Sequence, residues 1–113
     1  MNAQKSFSAY LTETRYHAVN HIMTKARAAN QLAKTVAGAN QRRLYALKHG
    51  CISRALELAP ESLVVDSFDM RQGVIGIQNV SNGIRLHAPA AQLTPKAQAA
   101  VLEQIARVIH RGQ

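Results

Sequence analysis

The chain has no carboxylate between Glu13 and Glu57. Over that stretch the ionised side chains are Arg15, Lys25, Arg27, Lys34, Arg42, Arg43, Lys48 and Arg54. The mixed, salt-bridged surface of an ordinary solvated helix is therefore excluded there. Tryptophan is absent and aromatics make up 4% of the chain. No RNA-recognition strand motif, GXXG loop or zinc-finger spacing occurs, which excludes those named readers of nucleic acid. A single cysteine, Cys51, excludes an internal disulfide and fits a reducing compartment, so a cytoplasmic location is expected. No segment approaches the roughly 20 apolar residues of a membrane span, and the N-terminus lacks the apolar run of a secretory signal. Residues 5 to 36 are basic and almost acid-free, a composition shared with organellar transit peptides, but they run on into further helical pattern.

What is present is lopsided. Residues 1 to 56 carry nine Lys/Arg and one acid, a balance of +8, whereas residues 57 to 113 carry five of each. The entire formal net charge of +8 therefore sits on the first half. Such a field points to a polyanionic partner. A chain of 113 residues suits one domain, read here as a basic helical half (1–58) and a βββα half (62–111). The apolar content of 47% is ordinary, but much of it is alanine, which buries little area. A thin core is expected in the first half, with a second copy of the chain as one way to complete it.

Periodicity predicts an α+β fold with two N-terminal helices, a three-stranded antiparallel β-meander and a C-terminal helix. In the first helix Leu11, Ala18, Ile22, Ala26, Ala29, Leu32, Ala33 and Val36 recur near a period of 3.6, opposite Tyr16, Asn20, Thr24, Arg27, Gln31 and Lys34. Gly38 and Asn40 mark a break, and a second helix follows from about Gln41 to Leu58. Its apolar face is read as Leu44, Leu47, Cys51, Ala55 and Leu58. The alternative is a helix continuous through Gly38 that breaks at Gly50. Pro60 ends the helical part. Strands are predicted at Ser62–Met70, Val74–Val80 and Ile84–Ala88, joined by Arg71-Gln72-Gly73 and Ser81-Asn82-Gly83. In the third strand Ile84, Leu86 and Ala88 point inward, with Arg85 and His87 outward. Thr94-Pro95 starts a last helix, to about Arg111, with a stripe of Val101, Leu102, Ile105, Val108 and Ile109.

Weighing the residues that carry chemistry leaves one candidate site. Arg27, Lys34, Arg42, Arg43, Lys48 and Arg54 are the expected phosphate-contacting residues, because phosphate binding needs only several cations on a common surface. Their bland alternative is to keep an Ala-rich hairpin soluble. Tyr16 and Tyr45, beside arginines, fit either base stacking or helix packing, and packing is the commoner use. His17 and His21 share a helix side at metal-pair spacing, but the residues between them follow no zinc-hydrolase pattern, and two surface histidines are the preferred reading. Cys51 falls on the apolar face and reads as a small buried hydrophobe. Asp66 and Asp69, three apart on a strand, should point to opposite faces and make no acid–base pair. Gly73, Gly76 and Gly83 precede no helix in phosphate-loop spacing. No catalytic motif, cofactor site or metal site is expected.

The stretch from Leu58 to Leu93 loosely resembles the small basic KH-like domains of the bacterial helicase-loader family, in a helix ending near Leu58-Ala59-Pro60 and two strands around Arg71-Gln72-Gly73. That resemblance covers about a third of the chain and implies contacts with nucleic acid and a helicase. After the second strand those domains place a helix, where this chain has Ser81-Asn82-Gly83 and a further strand pattern. The function expected from the residues is that of a small, non-enzymatic nucleic-acid-binding protein. The alternatives are an adaptor or inhibitor docking an acidic surface of a protein partner, such as a nucleic-acid enzyme, or a self-associating helical-hairpin homodimer. No membrane partner is expected.

Overall fold

A computed structural model describes residues 7–111. Helix α1 spans Phe7–Ala33 and α2 spans Gly38–Leu58. A short 3-10 turn (Pro60–Ser62) leads into strands β1 (Leu63–Asp69), β2 (Val74–Asn79) and β3 (Arg85–Pro89). A second 3-10 turn (Ala90–Gln92) precedes α3 (Pro95–Arg111). The sheet order is β1-β2-β3 and both pairings are antiparallel, as the hairpin-length connections predict.

Local chemistry explains the joints. The chain reverses between α1 and α2 within residues 34–37, and Gly38 takes a left-handed φ of +66° at the head of α2. The second helix thus begins at Gly38, earlier than the expected Gln41. Gly50 does not break it: it lies inside α2, exposed and with open space where a Cβ would stand. At the β1–β2 turn the Asp69 carboxylate accepts hydrogen bonds from the Arg71 and Gln72 amides, at 2.9 and 3.2 Å. Thr94 caps α3 by accepting from the Ala97 amide (3.2 Å), while its own amide donates to Ser53 Oγ on α2 (3.0 Å). Its hydroxyl donates to the Glu57 carboxylate. Pro95 opens the helix where a missing N–H costs nothing.

One core joins the two halves. Val19, Met23 and Ala26 of α1 and Ile52, Ala55 and Leu56 of α2 meet Leu63, Ile75, Ile77, Leu86 and Ala88 of the sheet and Ala97 and Val101 of α3. The helices cover one sheet face, and the other, with Val64, Gln78, Arg85 and His87, is exposed. Leu86 and Ala88 are buried and Arg85 and His87 exposed, as alternation in β3 predicts, although pairing begins at Arg85 and not at Ile84.

Three expectations are corrected. First, both hairpin helices are rotated in part relative to the predicted stripes: Ala26, Ala29, Ala33 and Ala55 are buried as expected, but other members are not. The buried line of α1 is Val19, Met23, Ala26, Ala29 and Ala33, which leaves Leu11 and Leu32 exposed. The buried line of α2 is Lys48, Ile52, Ala55, Leu56 and Ala59, which brings Ser53 inside and leaves Leu47 exposed. The cause is competition for the core: the larger Met23, Ile52 and Leu56 are fully buried in the cluster that includes residues of the sheet and α3. Second, Leu102, Val108 and Ile109 of α3 are exposed; Ala97 and Val101 make the buried contact. Third, β1 contains a bulge. Val65 pairs with Ile77 and Ser67 with Gly76, so Asp66 is an extra residue. Two successive side chains then lie on one face, and Asp66 and Asp69 share the open face, contrary to simple alternation.

The bulge builds a flat polar cluster. Arg85 Nε and Nη2 donate to the two Asp66 carboxylate oxygens at 2.6 and 2.7 Å. Nη2 also reaches Ser67 Oγ at 3.2 Å, and Nη1 lies 3.1 Å from His87 Nε2. Gly76 makes this possible, since a Cβ there would stand 2.6 Å from Arg85 Nη2 and 2.7 Å from Asp66 Oδ1. The guanidinium beside Asp66 holds its carboxyl below the usual carboxylate range. At the other edge, Gln104 of α3 closes β1: its Oε1 accepts from the Val65 amide (3.0 Å) and its Nε2 donates to the Leu63 carbonyl (2.8 Å). A side-chain amide thus occupies the place a further strand would take.

Candidate nucleic-acid interface

The basic residues sit on a hairpin that outgrows its support. From Gln31 to Leu47 the only buried residue is Ala33. The radius of gyration is 15.6 Å, against about 13 Å for a compact chain of this length. This projecting end is held by its own contacts. Gln41 Nε2 donates to the Ala33 carbonyl across the reversal (2.9 Å), and the Thr35 hydroxyl donates to the Leu32 carbonyl (2.8 Å). Tyr45 stacks on His49, with ring centroids 6.4 Å apart and planes at 16°.

The six expected phosphate-contacting residues do not form one strip. Helical geometry, at about 100° per residue, decides their placement. Asn20 and Arg27 are seven apart and share a flank of α1, while Lys34 is the first residue of the reversal that follows. Asn20 fixes which flank: its Nδ2 donates to Ser81 Oγ (3.0 Å), and its Oδ1 accepts from Asn79 Nδ2 (2.8 Å). Arg27 thus continues along the side facing the β2–β3 turn, and Lys34 stands in the reversal near Lys48; both are exposed. Arg42 and Arg43 are exposed near the reversal, about 100° apart on α2. Arg54 stands eleven residues beyond Arg43, about 16 Å along the axis. It lines a different hollow, with Ala18, His21, Ile22, Lys25 and Cys51.

Lys48 departs from a solvated surface position. It is only 8% exposed, with its stem packed at the start of the buried line Lys48, Ile52, Ala55 and Ala59, and its Nζ lies 5.7 Å from the Tyr45 ring centroid. Burial first, and then the Lys34 charge, push its pKa down. Burial, followed by the Lys48 charge, likewise lowers the pKa of His49. Positive groups are thus crowded at this end, with no carboxylate of the described residues within salt-bridge distance. The spacing of Lys48 with Ile52, Ala55 and Ala59 was the available sign of its burial.

Among the described residues, Arg15 is the one cation of the helical half within salt-bridge distance of a carboxylate, Glu61 at 3.6 Å. Lys25, Arg27, Lys34, Arg42, Arg43 and Arg54 are exposed and have no such partner among those residues. Sequence reasoning passed over Lys25, which the fold brings beside Arg54. Tyr16 is half-buried and packs against the core. His17 and His21 are exposed, and no group of three or more His, Cys, Asp or Glu among the described residues could hold a metal. Cys51 is half-buried rather than fully inside.

No family model, curated protein or solved structure matches this chain. The third strand, at Arg85–Pro89, stands where the KH-like helicase-loader pattern has a helix. No helix among the described residues is long and apolar enough to cross a membrane.

Proposed function

We propose that the protein is a small, non-enzymatic nucleic-acid-binding protein whose projecting hairpin end grips the phosphate backbone. Arg27, Lys34, Arg42 and Arg43 make the contacts, and Lys48 adds its field from beneath them. The observation that carries this reading is the cluster of exposed cations on a part of the molecule with almost no core, and without a carboxylate on either helix between Glu13 and Glu57. Cations held apart from acids cost folding energy through self-repulsion. A phosphate chain removes that cost and releases its own counterions. Contacts of this kind fix position on a strand without reading its sequence.

Titration of binding to single-stranded and duplex oligonucleotides against ionic strength tests the proposal. Four phosphates neutralised give a slope of log K on log salt of about −3.6 for duplex and about −2.8 for single strands. Lowering the pH through the His49 transition should tighten binding, because an anion beside Lys48 favours the charged imidazole. A flat salt response would sink the proposal.

A further inference from the structure

The rotation of the hairpin helices leaves an apolar seam on the side turned away from the sheet. Its floor is Ala18 and Ile22 of α1 and Cys51 of α2, beneath a hollow of about 340 Å3. The seam continues along both helices. Leu11, Ala18, Lys25 and Leu32 fall on one line of α1, seven residues apart, while Leu44, Cys51 and Leu58 form the matching line of α2. Leu11, Leu32 and Leu47 are 43%, 53% and 42% exposed. The rim is cationic: His21 and Lys25 stand on one side and Arg54 on the other, all exposed. Two helices side by side with an open apolar groove offer the seat that a third helix fills by packing ridges into grooves.

We propose that this seam docks an acidic amphipathic helix of a protein partner, with apolar residues at positions i, i+3 or i+4 and i+7 over Ile22 and Cys51 and carboxylates meeting Lys25 and Arg54. Charge decides the occupant. A second copy laid on this face would bring Lys25 and Arg54 against cations of its own kind, since both helices lack acids between residues 14 and 56. Nucleic acid would satisfy the rim and leave the exposed leucines, and the open sides of the half-buried Ile22 and Cys51, without further apolar cover. A helix with an apolar stripe flanked by carboxylates satisfies both, burying the floor and pairing the rim. The seam lies on the opposite flank of α1 from Arg27, because Lys25 and Arg27 are about 200° apart around the axis. One molecule therefore presents a phosphate-binding end and a separate protein-docking side.

Cys51, the only cysteine, supplies the readout. The full chain is reacted with a neutral maleimide, alone and with each of three probes. These are a helical peptide with a leucine stripe flanked by glutamates, the same peptide with lysines for glutamates, and a single-stranded oligonucleotide. The glutamate peptide should slow Cys51 modification at least tenfold, in a saturable manner, and the other two should leave it within twofold. The pair K25E and R54E together should abolish that protection while oligonucleotide binding falls by less than threefold. R42E with R43E should do the reverse, so failure of the docking site and failure of the phosphate-binding end are told apart. Should the reversed pair not fold by circular dichroism, K25Q with R54Q carries the same expectation at smaller amplitude. Absence of protection by the glutamate peptide overturns the proposal, as does equal protection by the lysine peptide. So do shielding of Cys51 by the oligonucleotide, and reactivity that falls as protein concentration rises without any peptide, which would mark a second copy as the occupant.

Discussion

The two ends of the helical hairpin are built on opposite principles. Where α1 and α2 lie over the sheet, Val19, Met23, Ile52 and Leu56 are fully buried and Asn20 is tied to Asn79 and Ser81. Beyond that support the same two helices bury only Ala33 between residues 31 and 47. They carry Lys34, Arg42 and Arg43 there, none of them in an ion pair with a described residue. The supported end is a packing solution, and the projecting end spends stability on charge. A protein under pressure for stability alone would shorten the hairpin or mix its charges. That this one does neither is what the proposed contact with a polyanion accounts for.

The comparison is broken most forcefully by equal truncations at the two ends. Leu56→Ala, in the core, should cost about 2–5 kcal/mol in urea unfolding. Leu47→Ala, exposed near the projecting end, should stay within about 0.5 kcal/mol. Equal losses would mean that the hairpin is one cooperative block with no unsupported end. A substitution on the open sheet face comes next. Gly76→Ala drives a Cβ into the Arg85 and Asp66 side chains and should cost about 1–3 kcal/mol, read from the same unfolding curves. Removing the nearest obstacle as well, in the double variant Gly76→Ala with Ser67→Ala, should recover part of that loss, because Ser67 Oγ would stand 2.3 Å from the added methyl.

The smallest effect is that of pH, and its sign follows from protons bound. His49 has a lowered pKa in the folded protein, so the unfolded chain binds more protons near and below pH 6.5 and stability falls as pH drops through that range. Asp66 is also lowered, by its hydrogen bonds to Arg85. Its contribution is complete above the unfolded value near 3.8 and is lost as pH falls through the folded one. His49→Gln should flatten the first decline and leave the second, as thermal unfolding at stepped pH would show.

The order of elements was legible because its joints carry chemistry: Pro60 stops a helix, Asn82-Gly83 turns a hairpin, and Thr94-Pro95 starts a helix. The rotation of α1 was not legible. Alanines occur around much of its circumference, at 18, 26, 28, 29 and 33, so several apolar faces compete and only the sheet beneath selects among them. The bulge at Asp66 had no glycine or other local mark. It follows from fitting Arg85 across Gly76, a contact between three strands. Of the six candidate phosphate contacts, the exposure of Arg27 on the polar side of α1 was readable from spacing, whereas the end of α1 before Lys34 was not. The separation of Arg54 from Arg42 and Arg43 depends on hairpin length, and the burial of Lys48 on a packing site beside the Tyr45 ring, with Nζ 5.7 Å from its centroid.

Charge reversal at the projecting end tests the central claim most directly. Binding of one oligonucleotide by the wild-type chain and by R42E with R43E is measured across a salt series. The expected result is at least a hundredfold loss of affinity at low salt, a salt slope shallower by about 2, and an unchanged unfolding midpoint. Affinity and slope equal to those of the wild type, in a variant that remains folded, would contradict the account.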